Sequence, residues 1–325
     1  MMQLSTCEDF DAWNKFLEGE RNDQMITLAH NPSLGAILSK TFGYQSENKF
    51  IRKGQGIIGV VPMVHFRGKI ISMPHFSYGG PIIASDEKVK VDLNTLFEGK
   101  DFEVRGFEKL SDHVYDKKVS CVLNVHESDE VQMMAMKSKL RQKIRKARKL
   151  GYVCKLGGIE LLDEFYDLYT RKMLRFGSPP LGKVFFKNLL TDYRFGDVQV
   201  AVLYDGEKVI ASGMALSYLG FNEVCWSSTD NEYDRFNIHA LICWEMLRSS
   251  VEKKHTYFSF GRSTIDSNNH RFKKQWNPLE LPVFYNYSEP VGKSIKELTF
   301  LTKIWKQQPL KTSVFFGHKI SKYVY

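Results

Sequence analysis

From Val153 onward the hydrophobic period of the chain switches in an order that few folds can accept. Val153–Leu156 alternates as a strand, and Glu160–Arg175 then repeats Leu161, Phe165, Leu168, Tyr169 and Leu174 at helical spacing. Phe176-Gly177-Ser178-Pro179-Pro180 stops that helix, and Lys183–Tyr193 starts another. Three strand-like runs follow, Val198–Tyr204, Lys208–Tyr218 and Phe221–Ser227, the first two joined by the hairpin signal Asp205-Gly206. A helix over Ile238–Glu252 and a strand over Tyr257–Phe260 complete the series. The tail adds a strand at Leu281–Asn286 and helices at Lys293–Lys306 and Leu310–Tyr323. Hairpin-linked strands among packed helices call for a mixed sheet with helices against its faces, an α+β architecture.

The first 126 residues read in the same mixed style. Phe10, Trp13, Phe16 and Leu17 share one face of a helix over Glu8–Glu18, and Asn31-Pro32 opens a second that runs to Thr41. Runs at Tyr44–Arg52, Gly56–Phe66 and Lys69–Met73, separated by Gly54 and Gly68, predict an antiparallel meander. Ser77-Tyr78-Gly79-Gly80-Pro81 can only be a loop. A helix near Asp86–Glu98 and strands at Phe102–Phe107 and Lys118–Val125 follow. At roughly 100–200 residues per domain, 325 residues suffice for two. The division expected is a first domain over 1–128; residues 129–325 then hold a linking helix, a second domain and the C-terminal helices.

The linking helix, Asp129–Leu150 with Gly151 as its C-cap glycine, carries the charge of the protein. The net charge is +9, from 46 Lys and Arg against 37 Asp and Glu, and residues 137–149 hold eight cations and no acid. The remainder is almost neutral. Lys139, Arg141, Lys143, Arg145 and Lys146 form a polyanion-binding face on one reading, for tRNA, a diphosphate or anionic lipid headgroups. A solvated helix face is the other. No aromatic residue interleaves the run, which argues against a platform for single strands. Together with Trp305, Phe315, Phe316 and Tyr323, the run also fits peripheral contact with the inner membrane surface. No stretch of about 18 apolar residues is present. The N-terminus lacks the basic and apolar segments of a secretory signal. Five cysteines without a CxxC pair indicate reduced thiols and no zinc or redox motif. A cytoplasmic protein, with or without peripheral membrane contact, is the expectation.

The segment from Tyr257 gathers the chemistry. A strand ends at Gly261. Arg262, Ser263, Thr264, Asp266, Ser267, Asn268 and Asn269 crowd a loop beyond it, then come Phe272-Lys273-Lys274-Gln275-Trp276 and a proline-containing strand. Polar groups just past the carboxyl end of a strand are where such sheets hold ligands. The element order of the second half fits a GNAT-type acyltransferase, in which a splayed parallel strand pair admits an acyl donor and a helix N-terminus faces its phosphates. The succession F-G-R-S, polar loop, F-K-x-x-W resembles the C-terminal signature of the FemAB-like (FemABX) family. Val61-Pro62-Met63, Ser72-Met73-Pro74, Tyr78-Gly79-Gly80-Pro81, Phe176-Gly177-Ser178-Pro179 and the basic segment through Tyr152 are similar to further motifs of that family. Trp305, Pro309, Gly317 and Tyr323 resemble the ending of its polysaccharide-associated branch, so the resemblance spans nearly the whole chain.

The resemblance implies two GNAT-like domains in tandem. It implies transfer of an acyl or aminoacyl group to an amine of a cell-envelope glycan or peptidoglycan precursor. The donor would be aminoacyl-tRNA or acyl-CoA, with no tightly bound cofactor, and Lys273 would stand near donor and acceptor. Direct attack by an amine needs no nucleophilic side chain; it needs a held carbonyl and a charge opposite the developing oxyanion. No G-x-S-x-G elbow is present. Lys273 can supply that charge, with Lys274 as the alternative if the register slips by one. Arg262 can clamp an anion. Asp266 is either a base or the cap of the next turn. Tyr78, Gly79, Ser263, Lys274, Trp276 and Tyr233 are expected around the substrate, Tyr233 being equally explained as turn chemistry. His239 reads as a core or surface histidine, and no metal site is expected. Asp234–Ala240 lacks both glycines of the Q/R-x-x-G-x-G/A pattern of acetyl-CoA-binding enzymes. Two other readings stand beside this one: an acyl-CoA-dependent acetyltransferase acting on an amino sugar, and a non-catalytic scaffold for anionic polymer or membrane.

Overall fold

A computed structural model describes residues 2–87, 91–290 and 299–324. Among these residues one mixed sheet runs through both halves of the chain. Its strands are β1 (Met2–Thr6), β2 (Gln45–Lys53), β3 (Gly56–Phe66), β4 (Lys69–Ile71), β5 (Ile82–Ile83), β6 (Phe102–Gly106), β7 (His113–Asn124), β8 (Val153–Gly157), β9 (Gly196–Asp205), β10 (Lys208–Tyr218), β11 (Phe221–Thr229), β12 (Tyr257–Thr264) and β13 (Leu279–Tyr287). The order is β1-β2-β3-β4-β6-β13-β7-β12-β11-β10-β9-β8, with β5 paired to β3. The expected β2–β3–β4 meander and β9–β10 hairpin are present and antiparallel. Only β4 with β6 and β11 with β12 pair in parallel. β13 lies between β6 and β7, antiparallel to both. The last strand among the described residues therefore sits between two strands of the first half.

The two-residue period divides each strand between two cores. Val200 and Val202 of β9 face the helices Phe10–Glu20, Leu34–Phe42, Leu162–Phe176 and Lys183–Asp192, so one core unites Trp13, Leu38, Phe165 and Phe185 from both halves. Ala201 and Leu203 face the other way, toward the helices Ser138–Arg148 and Ile238–Glu252, with Leu140, Ile144, Trp244 and Leu247. This is the α+β arrangement the period switches imply.

Several elements differ from the sequence reading, each for a local reason. The linking helix is two helices, Asp129–Ala135 and Ser138–Arg148. Met136 is buried in extended backbone (ψ 159°), and the Lys137 N–H donates to Gln275 O at 3.3 Å, so a contact from the far end of the chain breaks the helix. The second helix opens at Leu34 rather than at Pro32, because Asn31 Oδ1 accepts from Ser33 N and Oγ and holds a turn before it. β12 does not stop at Gly261 but bulges there and continues to Thr264. The expected polar loop contains the helix Asn268–Lys273, capped by Ser267 Oγ accepting from His270 N, and a 3-10 turn Lys274–Trp276. Of the helix near Asp86–Glu98 the described residues show Leu93–Leu96, and residues 88–90 lie outside them. The helix from Lys293 is seen from Thr299 to Lys306; residues 293–298 likewise lie outside the described residues.

Candidate active site

β11 and β12 pair only across Phe221↔Tyr257, Asn222↔Phe258 and Glu223↔Ser259. Beyond those pairs β11 stays with β10, while the register of β12 against β7 breaks between Ser259 and Arg262. The gap is a hollow of about 300 Å³. Its walls are Val224–Ser227 of β11, Phe260 and Arg262 of β12, His239 and Cys243 of the helix Ile238–Glu252, Tyr169, Lys172, Met173 and Phe176 of the helix Leu162–Phe176, and Asn269, Phe272 and Lys273.

Lys273 Nζ donates to Gly261 O (2.9 Å) and Arg262 O (3.2 Å), the carbonyls at the bulge. Burial pulls its pKa down to about 8, against the charge of Glu223 and the Cys121 thiol. An ammonium has three donors, so one N–H remains beyond those two bonds. Lys172 Nζ donates to Ser227 O, and burial lowers its pKa to about 8 as well. His239 shares a hydrogen bond with Ser227 Oγ (3.1 Å) and stacks on Phe272 at 4.6 Å. Burial, then the charges of Lys172 and Lys273, hold its pKa at about 4, so the imidazole is neutral at physiological pH. Burial pushes the Cys243 thiol up to about 12 and raises Cys225, so neither is a thiolate nucleophile.

A buried carboxyl organises the bulge from behind. Glu223 is 2% exposed, and its Oε1 and Oε2 accept from Ser77 Oγ (2.7 Å) and Ser259 Oγ (3.1 Å). Those same hydroxyl oxygens accept the backbone N–H of Arg262 (3.4 Å) and Gly261 (2.9 Å). The chain of contacts runs from carboxyl to hydroxyls, to two amides, to the two carbonyls that hold Lys273. Burial raises the Glu223 pKa, opposed by the hydroxyls of Ser77, Tyr78 and Ser259. Gly261 has φ 66°, and a Cβ there would stand 3.0 Å from Ser77 Oγ and 3.2 Å from Glu223 Oε1. Only glycine takes that backbone without strain. Neither Glu223 nor Lys172 was singled out from sequence. The one signal for Glu223 is an acid in a run whose neighbours Val224, Cys225 and Trp226 are apolar.

The residues singled out from sequence fall into three places. Lys273 and Arg262 line the hollow together; the Arg262 guanidinium donates to Phe76 O and lies 5.9 Å over the Tyr285 ring. Tyr78 is buried beside them, its hydroxyl bonded to Ser120 (2.5 Å) and Ser259 (3.0 Å), and Gly79 follows it in the wall of a second hollow of about 350 Å³ in the first half. Ser263 and Trp276 are buried, Trp276 in the core against Phe260 at 5.0 Å. Lys274 pairs with Glu280 (3.2 Å). Asp266 is exposed at a left-handed turn position (φ 59°), and Tyr233 bonds Asp205 (2.8 Å); neither lines the hollow. On the basic helix Lys139, Arg145 and Lys146 are exposed, Arg141 donates to Met134 O (3.0 Å) and Lys143 to Gln275 Oε1 (3.0 Å). Among the described residues no acid pairs with any of the five, and no group of three His, Cys, Asp or Glu side chains could hold a metal.

A parallel pair opened beside a helix N-terminus is the arrangement of the GNAT acyltransferase fold. Residues 135–274 match the acetyltransferase (GNAT) domain family. The crystal structure of FemX superposes with a TM-score of 0.64 at 13% identity, covering 88% of this chain and 97% of FemX. A tandem GNAT protein from the clavulanic acid biosynthesis pathway gives 0.55 at 8% identity, over 90% and 100% of the two chains. L-PGS from Bacillus licheniformis gives 0.52 at 11%, over 88% and 100%. No curated protein matches the chain in sequence. The chain thus shares its fold with FemX and with a tandem GNAT protein, as the FemAB-like motifs imply; at these identities the likeness is one of fold.

Proposed function

We propose that this protein forms an amide by moving an acyl or aminoacyl group onto an amine of a cell-envelope glycan or peptidoglycan precursor. The observation that carries the reading is Lys273, held by two bulge carbonyls at the mouth of the parted strands. The acyl carbonyl lies between β11 and β12, and the remaining Lys273 N–H meets the oxyanion as the amine attacks. A donor fixed opposite developing charge in a water-poor site contributes about 10²–10³ in rate. As the intermediate collapses, the ester C–O bond of an aminoacyl-tRNA (or the thioester C–S bond of an acyl-CoA) breaks, and the proton released by the amine ends on the departing ribose oxygen (or sulfur); His239, held neutral, adds no charge to the hollow. Arg262 and Lys172 add positive potential for an anionic donor or acceptor. The envelope precursor as acceptor is supported by the fold shared with FemX and with a putative lysylphosphatidylglycerol synthetase domain from Agrobacterium fabrum.

Aminoacyl-tRNA is the donor the surface favours. The basic helix packs on the helix whose N-terminal His239 lines the hollow, and Lys143 is tied to Gln275, two residues past Lys273. A polyanion on Lys139, Arg145 and Lys146 would therefore lie against the elements that build the site. Acyl-CoA is the second reading, favoured by the match to an acetyltransferase domain. Mass spectrometry of envelope precursors from cells carrying the wild type or Lys273→Met tests the whole proposal. An acyl or aminoacyl mass increment that disappears with the variant supports it, and identical precursors overturn it. Stoichiometric calorimetric binding of coenzyme A would replace tRNA as the donor.

A further inference from the structure

The C-terminal helix Leu310–Ile320 is built inside out. Its buried positions are the small Ser313 and Gly317, with Ser321 one turn on, while Phe315 and Phe316 stand 55% and 47% exposed, followed by Ile320 and Tyr323. The inward stripe lets the backbone press on Pro180: a Cβ on Gly317 would run into the Pro180 ring. The helix is fixed in this rotation by other contacts as well. Trp305 Nε1 donates to Ser313 Oγ (2.9 Å), and Tyr44 of the first half donates to Lys322 O (2.7 Å). A helix in water buries its large apolar side chains and exposes its small polar ones. Here that order is reversed: Tyr323 keeps an edge on Phe66 (5.6 Å) and Arg67, while among the described residues Phe315, Phe316 and Ile320 stay largely exposed.

The charge around this face selects what covers it. From residue 298 to the end the chain has five lysines, 303, 306, 311, 319 and 322, and no acid. Lys319 Nζ lies 4.6 Å over the Phe315 ring and Lys322 Nζ 5.1 Å over Tyr323, so cations and aromatics share one surface. A second copy of the chain would set these lysines against one another. An acidic lipid surface takes both components at once, aromatic rings at the headgroup boundary and ammonium groups on the phosphates. We propose that the Phe315–Phe316–Ile320–Tyr323 face with Lys319 and Lys322 docks on an anionic membrane surface. This stands on its own observations and does not depend on the acyl-transfer reading. The helix Leu162–Phe176, which lines the hollow, ends against the helix Thr299–Lys306: Gly177 lies beside Thr302 and Lys306.

Vesicle co-sedimentation of the full chain tests the proposal without any substrate. The wild type is expected to pellet with vesicles of equimolar phosphatidylcholine and phosphatidylglycerol, and to stay in solution with phosphatidylcholine alone or at high salt. Phe315→Ser with Phe316→Ser should lower the partition roughly tenfold or more, with an unchanged thermal transition. Lys319→Glu with Lys322→Glu should lower it comparably, and Phe315→Leu with Phe316→Leu should retain most of it. The proposal is overturned if the wild type ignores both vesicles. It is also overturned if Arg145→Glu with Lys146→Glu abolishes vesicle binding while the phenylalanine pair has no effect. Two further results do the same: loss of tRNA retention in place of vesicle binding in the phenylalanine variant, or a wild-type dimer which that variant turns into monomer.

Discussion

β4 and β6 run parallel over Ile70↔Phe102 and Ile71↔Glu103, as β11 and β12 do over three pairs, and both pairs then part. In the first half the gap is closed by backbone and a short side chain. Ser72 N donates to Glu103 O (3.0 Å), Arg105 N donates to Ser72 Oγ (2.8 Å), and Gly79 N donates to Arg105 O (2.9 Å). In the second half the freed groups are met by side chains: Ser77 and Ser259 take the amides, and Lys273 takes the carbonyls. Side chains reach where a returning strand would fill the space, so that gap stays hollow. One backbone plan becomes wall or site according to what satisfies its loose hydrogen bonds.

The sharpest break of this comparison is Lys273→Met. Transfer, assayed by product mass, should fall about 10²–10³-fold with the fold intact; a smaller loss than tenfold would take the oxyanion role away from Lys273. Next is Glu223→Gln, which leaves one of its two hydroxyls without an acceptor. A rate loss of about tenfold and a stability loss of about 1–3 kcal/mol are expected in denaturant titration. A variant that loses stability alone would reduce Glu223 to packing. The pH profile comes third. Lys273 is protonated below about 8 and loses its proton above it, so the rate should decline as pH rises through about 8. Lys273→Arg should keep the high-pH limb flat, because guanidinium stays charged. In the closed gap, Ser72→Ala should cost about 1 kcal/mol of stability and leave kcat unchanged. Smallest of all, exposed Asp266→Asn should hold the rate within about twofold; a larger drop would restore it as a base.

The legibility of these features follows from the range of the interactions behind them. Period and turn chemistry are local, so the three strands around Asp205-Gly206, both helices after Val153 and the Ser77–Pro81 loop could be read directly. Lys273 and Arg262 were legible through a motif, and they do meet in the hollow. The continuation of β12 past Gly261 was not, because its pairing partner Val119 is over a hundred residues away. The break at Met136 was hidden for the same reason, its cause being Gln275. Glu223 could not be weighed from sequence, since what makes it matter is Ser77 from the other half. Trp276 drew notice as a motif residue, and the fold uses it in the core.

The place of β13 bears on how the molecule is made. When residues 1–128 have left the ribosome, β6 and β7 have both been synthesised, and the slot between them stays vacant until Tyr287 emerges. With that slot vacant, β6 and β7 would each carry an unsealed edge, the condition that invites aggregation and chaperone capture. β13 acts as a keystone: among the described residues, strands β1 to β6 are joined into one sheet with β7 to β12 only through it.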